Sequence, residues 1–170
     1  MEKQFQNDIV LELPDITKIE FNRIDKSYLK VISINFFLVL VSLLVGLIVL
    51  HQFLFTEEFN EFVMYIYSVF FLCFGCVFGF ILFSFPLRKY ALRDKDISYK
   101  RGLLIKKLTT VPFTRIQHVE IDEKPISRLF GLSSLSVYTA GDSSDDLEIK
   151  GLTKETALQI KEFISTKIDA

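Results

Sequence analysis

The sequence predicts an α+β membrane protein in which a two-helix transmembrane hairpin precedes a small antiparallel β-barrel with a C-terminal helix. Three observations predict this fold. Two long apolar runs contain no charge, short alternating segments follow them, and the chain ends in an amphipathic helical pattern. Half of the 170 residues are hydrophobic, and 18 are Phe. We divide the chain into an N-terminal cytoplasmic segment (1–30), the hairpin (31–85) and a cytoplasmic domain (86–170).

The two apolar runs cover residues 31–50 and 62–85, and neither contains Asp, Glu, Lys or Arg. A helix rises about 1.5 Å per residue, so each run can cross roughly 30 Å of hydrocarbon. A buried helix of a soluble protein is seldom apolar on every face over such a length. A cleaved signal peptide fits poorly, because a mostly polar segment precedes the first run. We therefore predict two transmembrane helices.

Basic residues precede the first span and follow the second, whereas the connecting segment (51–61) contains three Glu and neither Lys nor Arg. Loops rich in Lys and Arg stay on the cytoplasmic side of a membrane. We therefore predict a multi-pass protein of the cytoplasmic membrane with both termini in the cytoplasm. The flanking basic residues are Lys18, Arg23, Lys26, Lys30, Arg88, Lys89, Arg93, Lys95 and Lys100.

Small residues recur four positions apart in both spans, as Ser42 and Gly46 in the first and Gly75 and Gly79 in the second. Such pairs form shallow grooves through which two helix backbones approach closely. We expect the two spans to pack on these faces. Self-association through the same face and chance spacing are the alternatives.

Two further features of the hairpin concern chemistry. Cys73 and Cys76 form a C-x-x-C near the middle of the second span, where a thiolate would be poorly solvated. We interpret them as small apolar filler rather than as a redox or zinc site. The spans contain no ionisable Asp, Glu, Lys or Arg, which ion carriers and proton relays usually need. The hairpin is therefore interpreted as an anchor or assembly element.

The sequence of the cytoplasmic domain predicts short β-strands separated by turns. The segments KYALRD, ISYKR, IKKLTTVPF, IQHVEID, LSVYTA and LEIK are the predicted strands. A final helix follows, with Thr153 as its N-cap and Ala157, Ile160, Ile164 and Ile168 at helical spacing. Together they predict a small, partly open barrel that the helix closes at one end.

The segment IQHVEID contains one of only two histidines in the chain, beside two carboxylates. Strand alternation places Val119 and Ile121 on the core face, and His118, Glu120 and Asp122 on the solvent face. A catalytic histidine needs a nucleophile and an orienting group within reach, and the other histidine lies across the membrane in this topology. We interpret this row as a solvated strand face, and predict no enzyme, no metal and no cofactor.

Several separated segments of the domain, YALRDKDISYKRGLLIKK, VPFTRIQHVE, ISRLFGLSSLSVYTAGD and IKGL, together resemble the YdbS-like family of membrane-flanked bacterial pleckstrin-homology (PH) proteins. The resemblance covers about residues 86–165, and the preceding pair of spans matches the family's layout. It implies a PH-like barrel of two roughly orthogonal antiparallel sheets, with a C-terminal helix over one open corner. The positions that carry it are Gly102, Pro112, Arg115, Ile116, Gln117, Val119, Arg128, Gly131, Leu132, Leu135, Val137, Thr139, Ala140, Gly141, Gly151 and Leu152.

The resemblance also implies a partner, a larger YdbT-like membrane protein that carries several similar domains. It suggests a role in envelope stress or in resistance to antimicrobial compounds. Our first functional hypothesis is therefore a non-enzymatic, membrane-anchored adaptor that assembles with such a partner or with itself. Two departures from the family bear on this partner: an N-terminal segment that is longer than usual, and an acidic loop with Asp142, Asp145 and Asp146.

The second hypothesis is a sensor of anionic lipid headgroups. Lys100, Arg101, Lys106 and Lys107 surround the turn GLLI soon after the second span. Anionic membrane surfaces attract each such residue by about 1 kcal/mol. Solubilising charges on an edge hairpin are the alternative reading. Nucleic acid is not a predicted partner, because the formal net charge of the chain is −1.

Overall fold

The computed structural model describes residues 19–54, 60–139 and 147–168, and shows two long helices joined to a domain of two small sheets. The acidic loop, with Ala140 and Gly141, lies outside these residues. The helices are α1 (Ser27–Leu54), α2 (Asn60–Ser84), α3 (Pro125–Leu129) and α4 (Lys154–Ile168), and the strands are β1 (Asn22–Arg23), β2 (Lys89–Leu92), β3 (Asp96–Arg101), β4 (Lys107–Pro112), β5 (Ile116–Asp122), β6 (Leu132–Thr139) and β7 (Leu147–Thr153).

Two helices are long and apolar enough to cross a membrane, over Ser27–Phe53 and Phe62–Leu87. Only 6% and 0% of their most apolar windows are buried within the protein, whereas the core helix of a soluble protein is mostly buried. The two helices meet through aromatic rings: the Phe36 ring lies 5.6 Å from that of Phe74 and 5.1 Å from that of Phe78. Their remaining apolar surface is exposed, as a lipid-facing helix requires.

Helix α1 begins before the apolar run, because polar residues there satisfy its first backbone groups. The Asp25 carboxylate accepts a hydrogen bond from the Ser27 N–H at 2.7 Å, and the Asp25 carbonyl accepts one from the Tyr28 N–H at 3.1 Å. A carboxylate at this end is also favoured by the helix dipole. The helix therefore starts at Ser27, four residues ahead of the predicted span.

The domain consists of two antiparallel sheets that share one core. The first sheet has the order β1-β2-β3-β4, and the second has the order β5-β6-β7. Ile97 of the first sheet, Leu135 and Ile149 of the second and Ile164 of α4 are all fully buried. Helix α4 also packs on the turn that connects β4 to β5, where the rings of Phe113 and Phe163 lie 6.1 Å apart. The apolar faces of the sheets and the helix thus cover one another.

The predicted PH-like arrangement of antiparallel sheets with helices is confirmed, whereas closure into a continuous barrel is not observed. In the described part of the chain, strand pairing stays within each sheet. The sheets approach each other at the segment that follows β1. There the Asp25 N–H donates to the Gly151 carbonyl of β7 at 2.8 Å. This single hydrogen bond joins the edges of the two sheets.

Residues 22–24 pack with the domain, although the sequence division at residue 30 assigned them to the N-terminal segment. Asn22 and Arg23 pair with Tyr90 and Lys89 of β2, and Ile24 is buried in the core. The two long helices are therefore an insertion between the first two strands of the domain. A strand of two residues has no periodicity, so the sequence pattern could not indicate it.

The predicted faces of the strands and the cap of α4 are as expected. Val119 and Ile121 pack against the core, whereas their neighbours His118, Glu120 and Asp122 are exposed. The hydroxyl of the predicted N-cap, at residue 153, accepts the backbone N–H of residue 156 at 3.2 Å. The short helix α3 was not predicted, because five residues are too few to show a helical period.

Helix α1 is fixed to the second sheet at Gly151. This glycine has φ of +81°, a conformation that residues with a side chain rarely adopt. A Cβ atom there would lie 2.5 Å from Cγ and 2.7 Å from Cβ of Tyr28. These are the atoms nearest the α1 backbone, so they cannot swing away as the end of a flexible side chain could. The absence of a side chain at residue 151 therefore permits the contact.

We predict that Gly151→Ala destabilises the full chain by about 2–4 kcal/mol, combining left-handed backbone strain with overpacking against Tyr28. The matched control is Gly131→Ala, which also has positive φ but has no atom within 4 Å of the added methyl. It should cost only about 1 kcal/mol. Thermal unfolding of both variants in detergent measures the difference. Equal destabilisation would show that the helix contact contributes nothing.

Candidate functional site

A basic cleft of about 430 Å³ lies where the second long helix meets the two sheets. The β3–β4 hairpin forms one wall, β7 forms the other, and Ser84, the last residue of α2, lies at the boundary. The side chains that give the cleft its chemical character are Arg88, Tyr99, Arg101, Lys107, Glu148 and Lys150.

Two of the cations are held opposite each other by strand pairing. Arg101 at the end of β3 is the direct cross-strand partner of Lys107 at the start of β4. Like charges in directly opposed positions destabilise a sheet. In the described part of the chain neither side chain forms an ion pair with a carboxylate. Their positive charge is therefore available to an anion in the cleft.

The other two cations come from distant parts of the chain. Arg88 follows the 3₁₀ turn Phe85–Leu87, which redirects the chain from α2 into β2, and its N–H donates to the Phe85 carbonyl at 3.1 Å. Lys150 lies on β7, and its ammonium group is 2.8 Å from a Glu148 carboxylate oxygen. Because Glu148 offsets one of the four cations, the cleft keeps a net positive charge.

Tyr99 marks the point on which these charges converge. The residue is only 5% exposed, and burial raises the pKa of its phenol. The positive charges of Arg88, Arg101 and Lys150 oppose that rise in pKa, because a nearby cation favours the phenolate. Three cations thus act on one hydroxyl position. The same field would stabilise a phosphate or carboxylate group placed there.

The structure divides the predicted basic cluster. Arg101 and Lys107 line the cleft, whereas Lys106 is exposed on the turn. Lys100 lies over the ring of Phe21, 5.9 Å from its centroid, because successive strand residues point to opposite faces. Sequence reasoning missed Arg88 and Lys150 as cleft residues. The only signal for Arg88 was its position directly after the second span, and an isolated lysine on β7 gave none.

The small-residue faces of the spans are not brought together. A methyl group added at Gly46, Gly75 or Gly79 would meet no atom within 4 Å, and Ser42 is exposed. The aromatic rings described above form the contact between the helices instead. These faces remain open on the outside of the hairpin.

The histidine and the two cysteines considered for chemistry do not line the basic cleft. The His118 ring stacks on that of Tyr138 with centroids 4.3 Å apart, and its Nε2 lies 3.6 Å from a Glu120 carboxylate oxygen. Cys73 and Cys76 are free thiols on the exposed surface of α2. Among the described residues, no group of three or more His, Cys, Asp or Glu could hold a metal ion.

The sequence model of the bacterial PH domain family matches residues 28–168, which include both long helices and most of the two sheets. The chain belongs to the bacterial PH domain family. This result confirms the family that the sequence motifs predicted. Those motifs include all three described residues with positive φ, Gly102, Gly131 and Gly151, where side chains would strain the backbone.

Two known proteins are similar to parts of this chain. The UPF0699 transmembrane protein YdbT of Bacillus subtilis (strain 168) is 27% identical over 73 residues, which are 43% of this chain and 15% of that protein. The chain therefore matches only a small part of this longer relative. The second is a DUF1696 family protein with a pleckstrin-homology domain from Shewanella loihica PV-4, known from a crystal structure. The match covers 48% of this chain and 70% of that protein, with 17% sequence identity and a TM-score of 0.36.

We predict that Arg101→Gln raises the pKa of Tyr99, because it removes a cation that favours the phenolate. Lys161→Gln on the exposed surface of α4 removes the same charge away from the cleft and should leave that pKa unchanged. A pH titration of the Tyr99 ring by NMR, with ¹³C-labelled tyrosine, measures both variants. If the pKa of Tyr99 is unchanged in Arg101→Gln, the Arg101 side chain does not lie beside Tyr99 in solution.

Proposed function

We propose that this PH-domain protein binds the headgroup of anionic phospholipids in the basic cleft, at the cytoplasmic face of the membrane that it spans. The observation that carries the proposal is a cleft beside the end of α2 that four cations line, three of which act on Tyr99. PH domains are generally non-catalytic binding domains, so the family favours a ligand rather than a reaction.

The proposed orientation rests on the distribution of basic residues. The segment that connects the two helices has no Lys or Arg, whereas basic residues precede α1 and follow α2. The positive-inside rule therefore favours a cytoplasmic location for both termini and for the domain. The similarity to a part of a transmembrane protein supports the membrane location.

The position of the cleft along α2 favours a lipid over a soluble anion. Ser84 contributes to the cleft and ends α2. The apolar span continues beyond α2, through the 3₁₀ turn, to Leu87. The cleft is therefore level with the end of the hydrocarbon, where the phosphate groups of the inner leaflet lie. A headgroup could enter it while its acyl chains remain in the bilayer.

We expect Arg101→Gln/Lys107→Gln to weaken retention of phosphatidylglycerol about 30-fold, since each cation near an anionic surface contributes about 1 kcal/mol. Both side chains are exposed, so the fold should persist. The control Lys161→Gln/Lys167→Gln removes equal charge from α4. Native mass spectrometry of the full chain, in the presence of equal amounts of phosphatidylglycerol and phosphatidylcholine, measures how much of each lipid stays bound. Equal losses in both variants would refute the cleft as the binding site, and tight binding of inorganic phosphate in lipid-free detergent would indicate a soluble ligand.

A second candidate function is assembly with a larger membrane PH protein, or with another copy of this chain. The similarity to a part of the transmembrane protein YdbT favours it, because that protein is several times longer than the matched segment. The open faces of α1 and α2 would supply the contact. A role of such an assembly in envelope stress or antimicrobial resistance is implied by the resemblance to YdbS-like proteins, and is part of this second proposal.

We predict that Gly75→Leu/Gly79→Leu abolishes this assembly without lowering the thermal stability of the isolated chain. A Cβ atom at either position meets no atom within 4 Å, whereas a leucine side chain would hold a partner helix away from the backbone. Val77→Leu, on an exposed position of α2 between the two glycines, is the matched control. Gentle solubilisation followed by size analysis and partner identification compares the variants. An unaltered complex in the double variant would exclude this face as the interface.

A further inference from the structure

The three most exposed large hydrophobic side chains of the domain are Leu104, Ile105 and Leu129, at 84%, 83% and 83% exposure. Every other large hydrophobic residue of the domain that is exposed is at 50% or less. Scattered, partly exposed aliphatic residues are normal on a protein surface, but nearly complete exposure of adjacent ones indicates an interaction surface. What these three residues share is their place beside the long helices.

Leu104 and Ile105 lie in the turn between β3 and β4, residues 102–106, which we name the tip. Gly102 has φ of +101°, and a Cβ atom there would overlap the carbonyl oxygen of Ile105. The turn is therefore tight, and its backbone holds the two aliphatic side chains away from the core. Ile105 also lines the basic cleft with Ser84, so the tip is next to the end of α2.

Leu129 lies on α3, which is next to the beginning of α1. Pro125 and Ile126 of α3 line a second cleft, of about 530 Å³, together with Val31 and Asn35 of α1. Asn35 lies two turns inside α1, in its apolar stretch. Helix α3 is thus level with the part of α1 that enters the hydrocarbon.

We propose that the tip and α3 insert Leu104, Ile105 and Leu129 into the cytoplasmic leaflet, and so seat the domain on the bilayer. The inference shares with the proposed function only the placement of this side of the domain at the inner leaflet. It does not depend on headgroup binding in the cleft.

The charges around the tip identify a lipid surface as the occupant. Lys100, Arg101, Lys106 and Lys107 surround the two aliphatic residues, and all four are exposed. Apolar residues flanked by Lys and Arg suit the interface of an anionic leaflet, where the chains enter the acyl region and the cations meet phosphate. A protein partner would have to present an acidic rim around an apolar pocket at the same level as the membrane, where lipid is already present.

The chain contains no Trp, so one introduced tryptophan gives a unique fluorescence signal. We compare Leu104→Trp and Leu129→Trp with Thr114→Trp, an exposed position just beyond the opposite end of β4. Each full chain is reconstituted in vesicles of phosphatidylcholine and phosphatidylglycerol that carry bromine on their acyl chains. We expect blue-shifted emission and several-fold stronger quenching by brominated lipid at residues 104 and 129 than at residue 114.

Equal emission and quenching at all three positions would overturn the inference. Protection of residue 104 from an aqueous quencher without quenching by brominated lipid would also overturn it, since a protein would then cover the tip.

Leu104→Asp/Ile105→Asp, at exposed positions, provides an independent test: it should increase proteolytic cleavage at the tip several-fold in vesicles but not in detergent. Normal retention of phosphatidylglycerol, together with no quenching at residue 104 by brominated lipid, would refute only the insertion of the tip. Unchanged retention of phosphatidylglycerol in Arg101→Gln/Lys107→Gln, together with quenching at residue 104, would refute headgroup binding alone.

Discussion

The packing of Tyr28 on Gly151 determines how the rest of the molecule is arranged. It places the first turn of α1 directly on β7, and the Asp25 hydrogen bond to the same glycine holds the preceding residues on that strand. At the other end of the hairpin, the 3₁₀ turn Phe85–Leu87 and Arg88 lead from α2 into β2 without a linker. The domain is therefore attached at two points, and its orientation relative to the helices is fixed.

A fixed orientation explains why the sheet tolerates its repulsive pair of charges. Arg101 and Lys107 oppose each other across two strands, an arrangement that costs stability in isolation. The attachment holds both residues next to Ser84, at the end of α2. In the proposed orientation, an anionic headgroup there would offset the repulsion, and the low dielectric of the adjoining hydrocarbon would strengthen the attraction. In a domain on a flexible linker, the same two residues would gain less from the membrane.

Sequence reasoning identified the features that repeat along the chain and missed those that depend on contacts between distant residues. The apolar runs indicated both long helices, and alternation indicated the strands with Val119 and Ile121 inside. The two-residue strand β1 and the insertion of the hairpin have no local pattern. Arg88 and Lys150 enter the cleft only because the attachment of both helices brings separate segments together. The small-residue faces were visible in sequence, but the contact between the helices is made by aromatic rings instead.

Attachment through two transmembrane helices would change what the proposed lipid binding can achieve in this protein. A soluble domain uses its affinity for a headgroup to reach the membrane, so its binding energy determines its location. In the proposed orientation, the two helices would hold the cleft at the bilayer and so keep the local concentration of headgroups high whatever the affinity. A weak site is then sufficient, and its occupancy follows the fraction of anionic lipid in the leaflet. A cleft that binds lipid as proposed would respond to lipid composition, and α1 and α2 would be the elements through which a change in its occupancy reaches a partner in the membrane.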